Sequence, residues 1–100
     1  MKELQNAVDK LIQTMGGYWS PTAMFLSLAE EVGELAREIN SLEKVKVKKP
    51  TEPDKRIEEE IGDTLFSLIC LANHYNVDLA DSLNNVIKKY EKRDKDRYKK

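Results

Sequence analysis

Four acidic side chains form two pairs at helical spacing, and they are the residues of this sequence best suited to chemistry. The first pair is Glu31 and Glu34, and the second is Glu60 and Asp63. Side chains three residues apart on a helix have Cβ atoms about 5 to 6 Å apart, so each pair can converge on one ion. If the two helices pack against each other, all four carboxylates can meet.

A divalent cation is the simplest explanation for such crowding, because like charges at short range oppose folding unless a positive charge neutralises them. The donors are all oxygen atoms, without Cys or His, which favours Mg²⁺, with Mn²⁺ as a substitute, over Zn²⁺. A carboxylate-bridged di-iron site needs Glu-x-x-His motifs, and the one histidine, His74, has no Glu three residues before it. A single Glu-x-x-Glu is common on charged helices, so the prediction depends on there being two.

The first acidic pair lies on a helix predicted over residues 21–40. Ser20 and Pro21 suit its N-cap and first helical position. Its apolar residues share one direction, with Glu31 and Glu34 on the flank of that face, whereas Glu30 points to solvent. The predicted core-facing residues are Met24, Phe25, Leu28, Val32, Leu35 and Ile39.

The second pair opens a central helix predicted over residues 57–72. Its continuation, LFSLICLA, is apolar around almost its whole circumference and must be covered on more than one side. Cys70, the only cysteine, lies in this run and is predicted to be a buried hydrophobic residue. Asp54 is the predicted cap of this helix, and residues 73–77 are predicted to break it.

Two further helices complete an all-α, four-helix domain, assigned to residues 1–93. Residues 2–15 carry an apolar stripe that ends at Gly16 and Gly17, and Asp78 is the predicted cap of the last helix. Residues 41–53 are predicted to be a loop and residues 94–100 a basic, flexible tail. The predicted core stripe of the last helix is Leu79, Leu83, Val86, Ile87 and Tyr90.

Composition limits the classes of partner. A chain of 100 residues, 40% of them hydrophobic, has a high surface-to-volume ratio, so we expect a homodimer or homotetramer whose subunits together complete the helical bundle. The net charge of −1 gives no overall attraction to nucleic acid or to a membrane. Without a membrane-spanning apolar run, a signal peptide or paired cysteines, the sequence predicts a cytoplasmic protein.

The two acidic motifs resemble those of a known family. EEVGEL at residues 30–35, followed about thirty residues later by EEIGDTLF at 59–66, is similar to the ExxE and ExxD motifs of the MazG-like nucleotide pyrophosphohydrolases, within the all-α nucleoside triphosphate pyrophosphatase group. The resemblance extends to Leu4 and Gln5, YWSP at 18–21 and CLANHYNVDLADSL at 70–83. It implies Mg²⁺-dependent hydrolysis of a nucleoside or deoxynucleoside triphosphate, including non-canonical ones, to the monophosphate and pyrophosphate. The implied metal ligands are Glu31, Glu34, Glu60 and Asp63.

The same resemblance implies substrate contacts on the last helix, where family members tend to carry an NxKxxxR pattern. Lys89 and Arg93 match this pattern, Ile87 occupies the Asn position, and Asn84, one turn earlier, is the candidate replacement. Lys89 and Arg93 are expected to offset phosphate charge.

Two roles complete the expected mechanism. Glu34 is the predicted carboxylate that accepts the proton of the attacking water. Trp19 or Tyr18 is expected to stack on the base, although packing between the first two helices would equally explain both aromatic residues.

Two alternatives stay open. Phosphoribosyl-ATP pyrophosphohydrolase belongs to the same helical group, but its second motif usually has Ala where Ile61 and Gly62 stand. A non-catalytic helical protein could instead bind partners or nucleic acid through the basic tail, with an affinity that falls steeply with salt. That second alternative has no use for four acids in one place.

Overall fold

The computed structural model describes residues 1–43 and 57–97, with side chains up to Asp94. This part of the chain forms four helices and contains no strand, which confirms the predicted all-α, four-helix class. The helices are α1 (Lys2–Thr14), α2 (Pro21–Leu42), α3 (Ile57–His74) and α4 (Leu79–Arg97). Ser41 and Leu42, predicted to begin the loop at 41–53, instead continue α2. The part of that loop beyond Glu43, and the predicted cap Asp54, lie outside the described residues. No described helix is long and apolar enough to cross a membrane.

The main packing contact joins α2 to α3, and α1 packs on α3 with a smaller contact. The start of α2 is the predicted one, since the Ser20 side chain accepts a hydrogen bond from the Ala23 amide (3.2 Å) and Pro21 opens the helix. A small core lies between the first three helices, and Cys70 is buried in it as predicted. This core consists of Ile12, Met24 and Cys70, with Val8, Tyr18, Phe66 and Leu71 packed around it.

Two consecutive glycines form the turn between α1 and α2. Gly16 and Gly17 have φ values of +101° and +99°, a region that residues with a side chain rarely adopt. The Gly17 amide donates to the Ile12 carbonyl (2.9 Å), which satisfies one of the last carbonyls of α1. The turn therefore ends α1 and leads directly into Tyr18 and Trp19.

The connection between α3 and α4 differs from the predicted one. Asn73 and His74, expected to break the helix, belong to α3, and the chain turns at Asn76, whose φ is +57°. The reason is tertiary, since the Asn73 side chain hydrogen-bonds to α1. Asp78 caps α4 as predicted, because its carboxylate accepts from the Asp81 amide (3.1 Å).

α4 extends to Arg97, so residues 94–97 continue the helix where the composition predicts a flexible tail. An existing helix gains a backbone hydrogen bond with each residue added, so it extends more readily than a new helix begins. The predicted domain boundary at residue 93 stays a prediction.

Much of the predicted core surface is not covered within one chain. Of the predicted stripe on α2, only Met24 is buried, and Phe25 is 59% exposed. On α4, Leu83 is 56% exposed, and Ile87 and Tyr90 are also exposed. The radius of gyration is 17.2 Å, against about 13 Å for a compact domain of 100 residues. The apolar stripes are thus wider than their neighbours in the same chain can cover.

Replacing Gly17 by Ala should lower the free energy of unfolding by about 1 to 3 kcal/mol, because a Cβ would force a disfavoured backbone conformation. An added Cβ meets no atom within 4 Å there, so the effect reports backbone strain alone. Urea unfolding followed by circular dichroism measures it.

The matched control is Gly33→Ala, which also places a Cβ in open space but inside a regular helix. It should leave stability unchanged or raise it by up to about 1 kcal/mol. Equal effects of the two substitutions would contradict the strain argument.

Candidate metal site and adjoining pocket

Three of the predicted acidic residues meet where α2 packs on α3. Glu31 comes from α2, and Glu60 and Asp63 lie one turn apart on α3. One ligand oxygen from each of the three lies within 4.8 Å of the others. The helical spacing aligns Glu60 with Asp63, and the packing of the two helices brings Glu31 to them.

Burial is graded across this cluster. Glu60 is 0% exposed, Glu31 is half-buried and Asp63 is exposed to solvent. The neighbours Glu58 and Glu59 are exposed, so α3 directs one acid of its first turn into the protein. Removing a carboxylate from water is expensive unless a positive charge or hydrogen-bond donors compensate it. The cluster therefore has an inner end closed to water and an outer end that a ligand can approach.

The donor set fits a hard divalent cation. All three candidate ligands are carboxylates, the donors that Mg²⁺, Mn²⁺ and Ca²⁺ prefer. Ligands on opposite sides of such an ion lie about 4 to 5 Å apart, so oxygens within 4.8 Å of one another can share one ion. The chemistry of these residues thus agrees with the predicted metal site.

The other two acids of the first motif face solvent. Glu34 lies one turn further along α2, is exposed and stands outside the group of three, so its role stays a prediction. Glu30 is exposed, as its position on the helical wheel predicts.

A pocket of about 310 Å³ adjoins the carboxylates, within the range typical of small-molecule sites. Glu31 and Asp63 belong to its lining, whereas Glu60 does not. The rest of the lining is largely apolar and aromatic, with two serine hydroxyls from Ser27 and Ser67. Its apolar and aromatic lining residues include Met15, Tyr18, Trp19, Met24 and Phe66.

Two titratable groups of the pocket stay protonated at neutral pH. Burial, assisted by a hydrogen bond from its hydroxyl to Asp9 (2.6 Å), raises the pKa of Tyr18 to about 12. Burial also raises the pKa of the Cys70 thiol. Neither group supplies a negative charge, so the anionic groups of the pocket are its carboxylates.

The predicted substrate residues divide into two groups. Trp19 lines the pocket and is 69% exposed. Asn84, Lys89 and Arg93 are exposed on α4 and are not part of the pocket lining. The Lys89 and Arg93 cations lie 5.1 and 4.5 Å from the centre of the Tyr90 ring instead. One chain therefore does not bring these α4 residues to the acids.

Sequence reasoning missed the polar groups that support the pocket. Gln5 is buried in α1 and Asn73 is half-buried in α3, and their side chains hydrogen-bond to each other (3.0 Å). A polar residue among apolar helix positions is a signal for such a network, because buried amides need partners.

Fold and site together define an all-α protein with a carboxylate cluster, suited to a divalent cation, beside a pocket of ligand size. Residues 19–98 match the family described as the MazG nucleotide pyrophosphohydrolase domain. The chain belongs to this family, as the two acidic motifs predict.

Relatives of known structure support the assignment. The chain is 52% identical over 99 residues to YpjD of Bacillus subtilis strain 168, covering 98% of this chain and 89% of that protein. The crystal structure of YpjD, a proposed pyrophosphatase, matches with a TM-score of 0.79 and 49% identity over 89% of this chain and 92% of that one. The Bacillus-conserved MazG protein, a nucleotide pyrophosphohydrolase, matches with a TM-score of 0.74 and 43% identity, over 89% of this chain and 86% of that one.

The phenol of Tyr18 should titrate at about pH 12, above the usual value of about 10. Since the folded state holds this proton more tightly, the phenol's contribution to stability is complete below about pH 10 and is lost as pH rises through about 12. Ultraviolet difference titration should show a component near pH 12 that Tyr18→Phe removes. The exposed control Tyr75→Phe should keep that component, and its loss there would refute the assignment.

Proposed function

We propose that this protein is a Mg²⁺-dependent nucleoside triphosphate pyrophosphohydrolase in which Mn²⁺ can substitute for Mg²⁺. It converts a nucleoside or deoxynucleoside triphosphate, canonical or damaged, to the monophosphate and pyrophosphate. The observation that carries the proposal is the cluster of Glu31, Glu60 and Asp63 within 4.8 Å, beside a pocket lined by aromatic residues. Membership of the MazG family supports a nucleotide as substrate.

The carboxylates have separate roles in this proposal. Glu31, Glu60 and Asp63 hold the cation, and the buried position of Glu60 fixes the inner side of the site. When bound, a divalent cation neutralises phosphate charge and lowers the pKa of a coordinated water. Glu34, exposed one turn from Glu31, accepts the proton of the attacking water or adds a further ligand.

The reaction is a displacement at phosphorus. The water oxygen bonds to the α-phosphorus, and the bond from that phosphorus to the oxygen bridging the α- and β-phosphates breaks. Pyrophosphate leaves with the electron pair, and the proton of the water passes to a carboxylate. The products are the nucleoside monophosphate and pyrophosphate.

The aromatic wall of the pocket supplies the contacts for the nucleoside. Trp19 and Tyr18 offer ring faces on which a base can stack, close to the carboxylates. Lys89, Arg93 and Asn84 are the proposed phosphate contacts on α4. Because one chain keeps them outside the pocket lining, this role requires a second subunit or a movement of α4.

Hydrolysis in water enriched in ¹⁸O tests both the activity and the bond that breaks. The screen should cover common, oxidised, deaminated and methylated nucleoside triphosphates, together with phosphoribosyl-ATP, with Mg²⁺ and detection of pyrophosphate. Attack at the α-phosphorus places the label in the monophosphate, whereas attack at the β-phosphorus places it in pyrophosphate. A folded protein that releases no pyrophosphate from any of them would end the proposal.

Glu31→Gln and Asp63→Asn should each lower kcat by at least about 100-fold, because each removes a charge from the cation site while keeping the shape of the side chain. Glu30→Gln is the matched control, since the residue is adjacent in sequence, acidic and exposed but outside the cluster. It should keep wild-type activity. Normal turnover by Asp63→Asn would remove that residue from the site.

We also propose that the chain forms a homodimer or homotetramer, because apolar side chains on α2, α3 and α4 lack cover in one chain. Leu68→Lys places a charge on the exposed apolar surface of α3 and should reduce the mass in sedimentation equilibrium. Gln13→Lys adds the same charge at an exposed polar position of α1 and should leave the mass unchanged. A wild-type mass equal to one chain would refute the proposal.

A further inference from the structure

Tyr18, an aromatic residue of the pocket lining, is fixed by hydrogen bonds to two residues that do not line the pocket. The Tyr18 hydroxyl donates a hydrogen bond to Asp9 Oδ1 (2.6 Å) and accepts one from Asn73 Nδ2 (3.1 Å). Asp9 lies on α1 and Asn73 on α3, whereas Tyr18 lies in the turn that follows α1. Both partners are outside the pocket lining, so neither is a direct contact for a ligand there.

Asn73 is itself fixed by Gln5, which is 7% exposed. The Asn73 side-chain amide donates to the Gln5 carbonyl (2.9 Å), and Gln5 Nε2 donates to Asn73 Oδ1 (3.0 Å). Gln5 Nε2 also donates to the Val77 carbonyl (2.9 Å), and Gln5 Oε1 accepts from the Leu79 amide (2.9 Å). The support of Tyr18 therefore reaches from α1 through the end of α3 to the start of α4.

We propose that Asp9 and Asn73 are positioning residues for nucleotide binding, which hold the ring of Tyr18, and with it the neighbouring Trp19, in the geometry that receives the nucleoside. The inference rests on the proposed function and assigns a role in it to Asp9 and Asn73. Tyr18 follows two glycines with positive φ, and glycine has more backbone freedom than any other residue, so side-chain hydrogen bonds restrict the conformation of the residue that follows. The two hydrogen bonds to the hydroxyl supply those anchors.

The physical basis is pre-organisation. A side chain that is already fixed loses no rotational freedom when a ligand binds, whereas a loose ring must be ordered at that moment. Loss of the anchors should therefore weaken binding by about three- to tenfold while the carboxylates continue to act. This pattern differs from that of a merely structural network, whose loss would lower thermal stability without a selective change in affinity.

Tyr18→Phe removes the hydroxyl and keeps the ring. It should raise KM about three- to tenfold and leave kcat within about twofold of wild type. Asp9→Ala should have the same effect, whereas Asp9→Asn, which keeps an oxygen to accept the hydroxyl proton, should stay near wild type. Because Tyr18→Phe already removes the hydrogen bond to Asp9, adding Asp9→Ala to it should not raise KM further. Asn73→Ala should act in the same direction.

The single tryptophan gives a readout that does not depend on turnover. Trp19 is the only Trp of the chain and lines the pocket. Quenching of its fluorescence by α,β-methylene analogues of the deoxynucleoside triphosphates, with Mg²⁺, should give a Kd that rises with KM in each variant. Tyr75→Phe, at an exposed tyrosine outside the pocket, is the control and should change neither value.

The outcomes separate this inference from the proposed function. If the wild type hydrolyses nucleotides and the variants keep KM and Kd, the positioning role is wrong and the proposed function stands. A fall in kcat with unchanged KM would also overturn the positioning role. If the wild type binds the analogues without hydrolysing any nucleotide, the proposed function fails, and the variants' Kd values still decide the inference. If it neither binds nor hydrolyses, both fail. Should Asn73→Ala not fold, the Asp9 and Tyr18 variants decide alone.

Discussion

The packing of α2 on α3 is the contact on which both the stability and the site depend. It buries Met24 and Cys70, and it brings Glu31 to Glu60, whose side chain is fully removed from water. Apolar burial favours this contact, whereas the approach of like charges opposes it. The same interface therefore contains a favourable and an unfavourable contribution, and a cation between the carboxylates would convert the second into a further attraction.

The parts of the fold set by local chemistry could be predicted from the sequence. Ser20 with Pro21, and Asp78, mark helix starts because their capping chemistry is local. The alignment of Glu60 with Asp63 follows from the helical repeat alone. How closely Glu31 approaches this pair could not be predicted, because which turn of α2 faces α3 depends on how the two helices cross.

Contacts between residues far apart in sequence explain where the structure differs from the predictions. Asn73 extends α3 because its amide group is bound by Gln5, 68 residues away in sequence, which outweighs its weak helix propensity. The apolar stripes of α2 and α4 were recognised, but periodicity does not reveal what covers them. Leu83 and Phe25 are exposed in one chain for this reason. The support of Tyr18 by Asp9 was equally hidden, since nothing local links the two.

The graded burial of the carboxylates also bears on which ion the protein would carry. Glu60 is closed to solvent, whereas Asp63 is open to it. An ion could therefore enter and leave at the Asp63 end of the site without unfolding either helix. Three carboxylates do not form the complete cage that rigid discrimination between hard cations requires. Occupancy of such a site would then depend on the concentrations of the competing ions around the protein as well as on the carboxylates themselves.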